Sequence, residues 1–564
     1  MASGKELIKS RWILEAAGAA LLLVGPYFYP MLLPGNVALY HHYLNFTNMI
    51  GGIFLVLAGV FLLLLAALVL LSRLPRILHC LAEGLLSGAA IWLFLQPLTS
   101  LYSEHLREIF FAQVHPTQAK ISVWSILPVV IAKSMTLAIA LPLCLALIAY
   151  FKVDMGSKIA RTTRMALAAF AFCGIWIVPQ LAYLAYELHA TPPFNRIEAA
   201  SSQQSHPQGP VIWLLFDELS ENLIYDHPPE GMQFPEFARF RASSVSFSNV
   251  DPVGYFTESV IPSLLAGKPI EKISSTIHGD LLYYDETQRR WIRFDAKSTL
   301  FGLADQRGLN PAIVGWYNPY CRTFAETVSA CRWQASPFQW FPLEQLGATE
   351  YDSALHDTSL ISRNLLRAQF LSPKSEESFL LDARIKNYHA IMSRADSLIR
   401  DGKSGFIFIH LPIPHPPGFY DRRSHMLCKC GNYLDNLVLA EDTLGHLLNE
   451  IHHSPQGDKA TLIVSSDHSW RVPLWSAEPS WTKEEARVSN GQFDPRPVLM
   501  VHFPGETAKY GVAQKAPELL EHDILAALLN KEISTPQQLI DKFNLQVSAS
   551  GAEETTSLKA TETP

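Results

Sequence analysis

Five long apolar runs fill the first third of the chain, at about 12–33, 46–72, 77–97, 122–150 and 165–186. Each holds roughly the 20 apolar residues that a bilayer core requires. A secretory signal would be one short run with a small-residue cleavage site. Five runs in succession do not suit the buried helices of a soluble protein. The sequence therefore predicts a five-helix transmembrane domain over residues 1–187. Its basic residues set the orientation. Nine (Lys5, Lys9, Arg11, Arg73, Arg76, Lys152, Lys158, Arg161 and Arg164) fall on the N-terminal side of the membrane and two (Arg107 and Lys120) on the other. That imbalance predicts a cytoplasmic N-terminus, and an odd number of spans places everything beyond Glu187 in a periplasm or outside the cell. Lys133 lies inside the fourth run, but residues 134–151 can span alone, so its stem can carry the charge to the outer interface.

The two parts differ in charge. Residues 1–187 carry +5 and the remainder −12, within a net charge of −7 for the 564-residue chain. No basic stripe marks a nucleic-acid partner. Cysteines divide the same way. Cys80, Cys144 and Cys173 sit in the apolar runs, whereas Cys321, Cys331, Cys428 and Cys430 lie in the exported part. An oxidising compartment makes the last four disulfide candidates. Cys321–Cys331 closes a short loop and is the expected pair. Bridging the two cysteines of "CKC" is strained, so their pairing stays open.

Residues 188–210 are rich in Pro, Ser, Gln and Ala and read as a linker. Residues 546–564 hold almost no apolar side chains and read as a disordered tail. Between them lies one exported domain, 211–545. Short, continuously apolar runs at 211–216, 311–316, 406–411, 461–465 and 497–503 suggest strands buried on both faces. Helical patterns fall between them, at 433–451 and 516–530 among others. The fold class expected is an α/β domain with a largely parallel sheet.

Ligands in such sheets bind where strands end. The run at 211 ends in Asp217 and Glu218, and the run at 406 leads into "PIPHPPG" with His415. The run at 461 ends in Asp467 and His468. Carboxylates with imidazoles suit a divalent cation. Zinc is favoured because nitrogen joins oxygen, with manganese and magnesium as the oxygen-preferring alternatives. The segment "VGYFTESVIPSLLAG" places hydroxyls ahead of a short helix. Thr257 is the candidate nucleophile, with Ser259 and Ser263 as competitors. A metal can activate such a hydroxyl, and backbone N–H groups at a helix start can hold an anion.

These motifs, in this order, resemble the alkaline phosphatase–sulfatase superfamily. With the membrane runs in front, the layout is similar to membrane-anchored lipid A phosphoethanolamine transferases and lipoteichoic acid synthases. The resemblance covers about residues 205–505. It implies an acidic metal ligand at Asp217, with Glu218 beside it, and a nucleophile at Thr257, five residues before Pro262. It also implies that "SDHS" gives Asp467 and His468 to the metal. His415 in "IPHPP" is then the histidine facing the transferred group or a second metal. The chain departs from the family in two places. Where formylglycine sulfatases carry C/S-x-P-S-R, this sequence has Val260 and Leu264 at the modified and arginine positions, which argues against that mechanism. No further histidine follows His468 closely, and Arg471 is the candidate to bind an anionic group instead.

The function expected is a membrane-bound, metal-dependent transferase. It would move a phospho-head group, such as phosphoethanolamine or phosphoglycerol, to an envelope lipid or glycan through a threonine intermediate. A membrane lipid would be the donor or acceptor. The alternatives are a sulfatase-like hydrolase of phosphate or sulfate esters and a catalytically silent relative that binds or senses lipid.

Overall fold

The structure is a computed structural model. It describes residues 4–32, 46–95, 135–151, 153–188, 196–197, 209–276, 280–334, 358–359, 362, 374–478 and 480–548. The chain divides into two compact units. One comprises residues 1–194 with 274–282 and 335–380, and the other comprises 195–273, 283–334 and 381–564.

The first unit is helical: α1 (Gly4–Leu32), α2 (Phe46–Leu71), α3 (Arg76–Leu95), α4 (Met135–Phe151), α5 (Val153–Ala171) and α6 (Gly174–Leu188). Of the five spans expected, two meet the test of length and apolarity among the described residues: Ile50–Leu71, and Met155–Tyr186, which joins α5 to α6. The apolar helix Ile77–Trp92 is shorter. Residues 122–134, and Lys133 with them, lie outside the described residues. Small residues let these helices approach closely, as in membrane bundles. A Cβ on Gly18 of α1 would stand 1.9 Å from the Leu167 carbonyl oxygen of α5. One charge cluster ties three helices together. Arg164 of α5 donates to Glu15 of α1 at 2.9 Å and to Glu83 of α3 at 2.7 Å, while Arg11 also holds Glu15 at 2.7 Å. Glu15 is buried, where a polar group needs such partners.

The second unit is built on a ten-stranded sheet. Its strands are β1 (Arg196–Ile197), β2 (Val211–Asp217), β3 (Val245–Phe247), β4 (Ala312–Trp316), β5 (Ala330–Gln334), β6 (Phe406–Pro414), β7 (Thr461–Ser466), β8 (Leu499–His502), β9 (Tyr510–Val512) and β10 (Val547–Ser548). They lie in the order β1-β5-β4-β6-β2-β7-β8-β3-β9-β10. The five from β5 to β7 run parallel; β1 pairs antiparallel with β5, β8 antiparallel with β7 and β3, β9 parallel with β3, and β10 antiparallel with β9. Central strands bury both faces: every residue of β6 is buried, as are Ile212–Asp217 of β2. Apolar side chains such as Trp213, Phe216, Phe408 and Ile463 pack there, each contributing roughly 1.5–3 kcal/mol. That double burial is why the strands read as unbroken apolar runs.

Two short pairings fall at the expected boundaries. Residues 196–197, within the expected linker, pair antiparallel with β5, and residues 547–548, within the expected tail, pair with β9. Short edge pairings of this kind leave almost no periodic signal. The rest of the tail lies outside the described residues. Both cysteine pairs of the second unit are bridged: Cys321–Cys331 as expected, and Cys428–Cys430 as well. The second has Cα atoms 5.1 Å apart, inside the ordinary disulfide range, so the "CKC" backbone folds back enough to close the ring.

Candidate active site

Register places the acids side by side. On the parallel pair β2–β7, Phe216 lies opposite Ser466, so the next residues, Asp217 and Asp467, leave the sheet together. On the other flank, β6 runs beside β2 with an irregularity between Leu411 and Pro414. That shift brings the His415 N–H onto the Asp217 carbonyl at 3.1 Å. Glu218 follows with φ of 69°, a left-handed conformation unusual for a non-glycine residue. Such strain persists where surrounding contacts over-determine it. Here the Glu218 N–H donates to Asp467 Oδ1, and the Tyr433 hydroxyl donates to the Glu218 carbonyl.

Thr257 opens the helix α7 (Thr257–Ala266), which follows extended Phe256. Its Oγ1 donates to Asp467 Oδ2 at 2.8 Å and lies 3.3 Å from His468 Nε2. His468 Nδ1 sits 3.2 Å from the Ser469 carbonyl. A carbonyl only accepts, so Nδ1 carries the proton and Nε2 presents a lone pair. That lone pair faces Asp467 Oδ2 at 3.3 Å and Asp217 Oδ1 at 3.8 Å. The competing hydroxyls are engaged elsewhere. Ser259 donates to the Phe256 carbonyl, and Ser263 donates to the Ser259 carbonyl while accepting from the Ile270 N–H.

A residue that sequence reasoning missed completes the cluster. His410 lies within β6, and its Nε2 is 3.8 Å from Asp217 Oδ2. Asp217, His410 and Asp467 each offer a ligand atom, all within 4.8 Å of one another and all buried. Both carboxylate oxygens of Asp217 and His410 Nε2 are buried without a hydrogen-bond partner. Buried polar atoms are rarely left so. Three orphaned acceptors converging on one point fit a divalent cation, and the mixture of carboxylate oxygen with imidazole nitrogen is within zinc's repertoire. Electrostatics agree. Burial first, then repulsion from Glu218 on Asp217 and from Asp217 on Asp467, pushes both carboxyls well above the usual carboxylate range. Burial lowers His410 to about 4 and holds His468 well below the ordinary imidazole value, so both rings are neutral.

Glu218, expected beside the metal, turns to a different task. Its carboxylate binds the Arg471 Nε–H and the Trp475 indole N–H, the latter at 2.9 Å. Arg471 is buried too. Burial opposes its charge, but Glu218 and Asp217 outweigh that and hold the guanidinium protonated. Its remaining nitrogens reach the Tyr255 carbonyl and His415 Nε2, each at 3.2 Å. His415 is thus close to the acids, with Arg471 on one side and Arg384 on the other. Burial and then the two arginines keep the ring well below its ordinary value. Arg384 comes from the helix Lys374–Asp401 and was not singled out in the sequence. It donates to the Pro412 and Pro416 carbonyls, pinning the loop that carries His415, and burial lowers it to about 10.

No family model matches this sequence, and no curated protein matches it. Similar folds occur among solved structures. The crystal structure of Ps i-CgsB is 15% identical, covering 59% of this chain and 74% of that one, with a TM-score of 0.37. A 2-O GAG sulfatase is 11% identical over 61% of this chain and 72% of its own, at 0.35. The phosphonate monoester hydrolase of Agrobacterium radiobacter is 12% identical over 60% and 74%, at 0.32. Identities and scores at this level leave the chemistry to the site itself.

Proposed function

We propose that the protein is a membrane-bound, metal-dependent transferase that moves a phospho-head group from a lipid donor through Thr257 to an envelope lipid or glycan. The observation that carries this reading is the 2.8 Å bond from the Thr257 hydroxyl to Asp467, beside the orphaned Asp217 and His410 acceptors. A threonine whose only task was to cap the helix would bond to backbone N–H groups instead. A bound divalent cation would polarise the phosphoryl oxygens and favour the ionised hydroxyl.

The chain's own residues supply the rest. Thr257 Oγ1 attacks phosphorus as its proton leaves along the bond to Asp467 Oδ2. The donor's P–O bond breaks, and the departing alkoxide takes up a proton. In the second half, an acceptor hydroxyl attacks phosphorus, the P–Oγ1 bond breaks and Thr257 regains a proton. Arg471 and His415 stand at the same strand ends to orient the anionic group. Charge fits a singly charged phosphodiester. A bound cation would hold Asp217, Glu218 and Asp467 ionised against the burial that raises them, opposite two guanidiniums, Arg384 and Arg471. The site is thus one positive charge short, and a divalent cation would leave a single positive charge for the substrate.

Membrane placement is supported by the two long apolar stretches and by the basic-residue imbalance of the loops, and export by the two disulfides. A periplasmic-type phosphatase reporter fused after residue 210 should be active, and a cytoplasm-only reporter there silent. For the chemistry, the full chain in detergent should be incubated with metal and phosphatidylethanolamine or phosphatidylglycerol. Intact-mass spectrometry should then show a head-group phosphate adduct that maps to Thr257 and is discharged by an acceptor alcohol. Discharge to water alone, at the same rate with and without acceptor, would make the protein a hydrolase. No adduct and no turnover with any of these lipids would leave the silent lipid-binding relative.

A further inference from the structure

The metal reading gives His410 a job, and the surroundings of its ring show how that job is secured. His410 Nδ1 lies 2.8 Å from the Tyr320 hydroxyl, and both residues are fully buried. The ring also bonds to the Trp316 main-chain carbonyl. A carbonyl accepts only, and Nε2 makes no hydrogen bond. The ring proton is therefore on Nδ1, directed to the Trp316 and Tyr320 oxygens, and the Nε2 lone pair is left facing Asp217 and Asp467. Asp217 Oδ2 lies 3.8 Å from Nε2, too far to take a proton from it in a hydrogen bond.

We propose that Tyr320 is a positioning residue that holds the His410 ring in the tautomer and orientation needed for Nε2 to take a divalent cation together with Asp217 and Asp467. The inference rests on the metal-dependent reading above. Tyr320 is itself placed by several independent features. It begins the short helix Tyr320–Thr323, and the next residue, Cys321, is bridged to Cys331 of β5. Its ring stacks on Phe324 and meets Phe408 edge-on. It lies flat against β4 at Gly315, where a Cβ would stand 2.3 Å from its Cε2. A glycine at that strand position leaves the space the ring occupies. So much local packing around one hydroxyl aimed at one imidazole nitrogen is the arrangement that fixes a ligand histidine from behind. Loss of such partners weakens metal binding by about 10–100-fold.

The test is metal affinity of the full chain, read by competition against a chromophoric chelator with zinc and, separately, manganese. Tyr320→Phe keeps the ring and its packing, so the variant should fold with both disulfides formed. Its affinity should fall about tenfold or more, and the rise in melting temperature on adding metal should shrink. A purely structural tyrosine would lower the melting temperature of the metal-free protein and leave affinity unchanged, and that result overturns the proposal. Gly315→Ala, which keeps the hydroxyl but displaces the ring, should weaken metal binding in the same direction. If the wild type takes up neither ion, the metal-dependent function itself falls. If the wild type binds and Tyr320→Phe binds equally well, only the role of Tyr320 falls.

Discussion

Replacing Glu218 by Gln distinguishes two roles for this acid. The neighbouring Asp217 makes Glu218 look like a metal ligand in the sequence, whereas the structure spends its carboxylate on Arg471 and Trp475. Both charges are buried. Removing one partner of such a pair leaves the other uncompensated and costs about 3–5 kcal/mol. Gln can still accept from the Trp475 indole, which keeps the expected loss near the lower figure, ~3 kcal/mol. For a domain of this size that lowers the melting temperature by roughly 4 °C. Adding Arg471→Met should restore much of the loss, because the second change removes the stranded guanidinium. Differential scanning fluorimetry of the two single variants and the double variant gives the coupling, and elemental analysis gives the metal. The expected result is strong coupling between Glu218 and Arg471 with metal content unchanged in Glu218→Gln. Loss of metal in Glu218→Gln with no rescue by Arg471→Met would return Glu218 to the ligand set and sink the ion-pair argument.

Three further outcomes are expected. Ser259→Ala and Ser263→Ala should keep most activity while Thr257→Ala loses it with the fold intact, as measured by adduct formation and circular dichroism. Stability should fall as pH rises from about 4.5 to about 8, because burial raises Glu521 to about 8 despite hydrogen bonds from Ser465 and Trp213. An acid with a raised folded pKa binds its proton more tightly in the native state, so stability is fully present below the unfolded pKa and lost through the folded one. Glu521→Gln should flatten that slope and stabilise the protein at pH 8.5 by on the order of 5 kcal/mol, read from denaturant midpoints across pH. Peptide mapping without reductant should find both Cys321–Cys331 and Cys428–Cys430, and a free thiol at either pair would contradict the fold around it.

The five strands expected from continuous apolarity are present, and so is the helix that starts at Thr257, because burial on both faces writes itself directly into composition. What the sequence concealed has a common cause. His410 sits among Phe408, Ile409 and Leu411, so locally it is a core residue, and only its register beside β2 turns it toward Asp217. Arg384 lies on a helix with many charged residues, where one more arginine carries no signal of burial. The strand β5 is five residues long and mixes Cys, Arg, Trp and Gln, and its place at the end of the parallel run comes from pairing with β4. In each case the deciding interaction is made with residues far away in the chain, which periodicity cannot register.

The pairing of β2 with β7 also fixes when the site can come into being. Glu218 and Asp467, joined by a bond from the Glu218 N–H to the Asp467 carboxylate, are 249 residues apart. While the chain is being made, the first acid waits without its neighbour until nearly the whole domain exists, and contacts of such separation form late. No partial chain holds a ligand set. An ion held by this set would therefore be chosen where the last of these strands docks, from the metals available there.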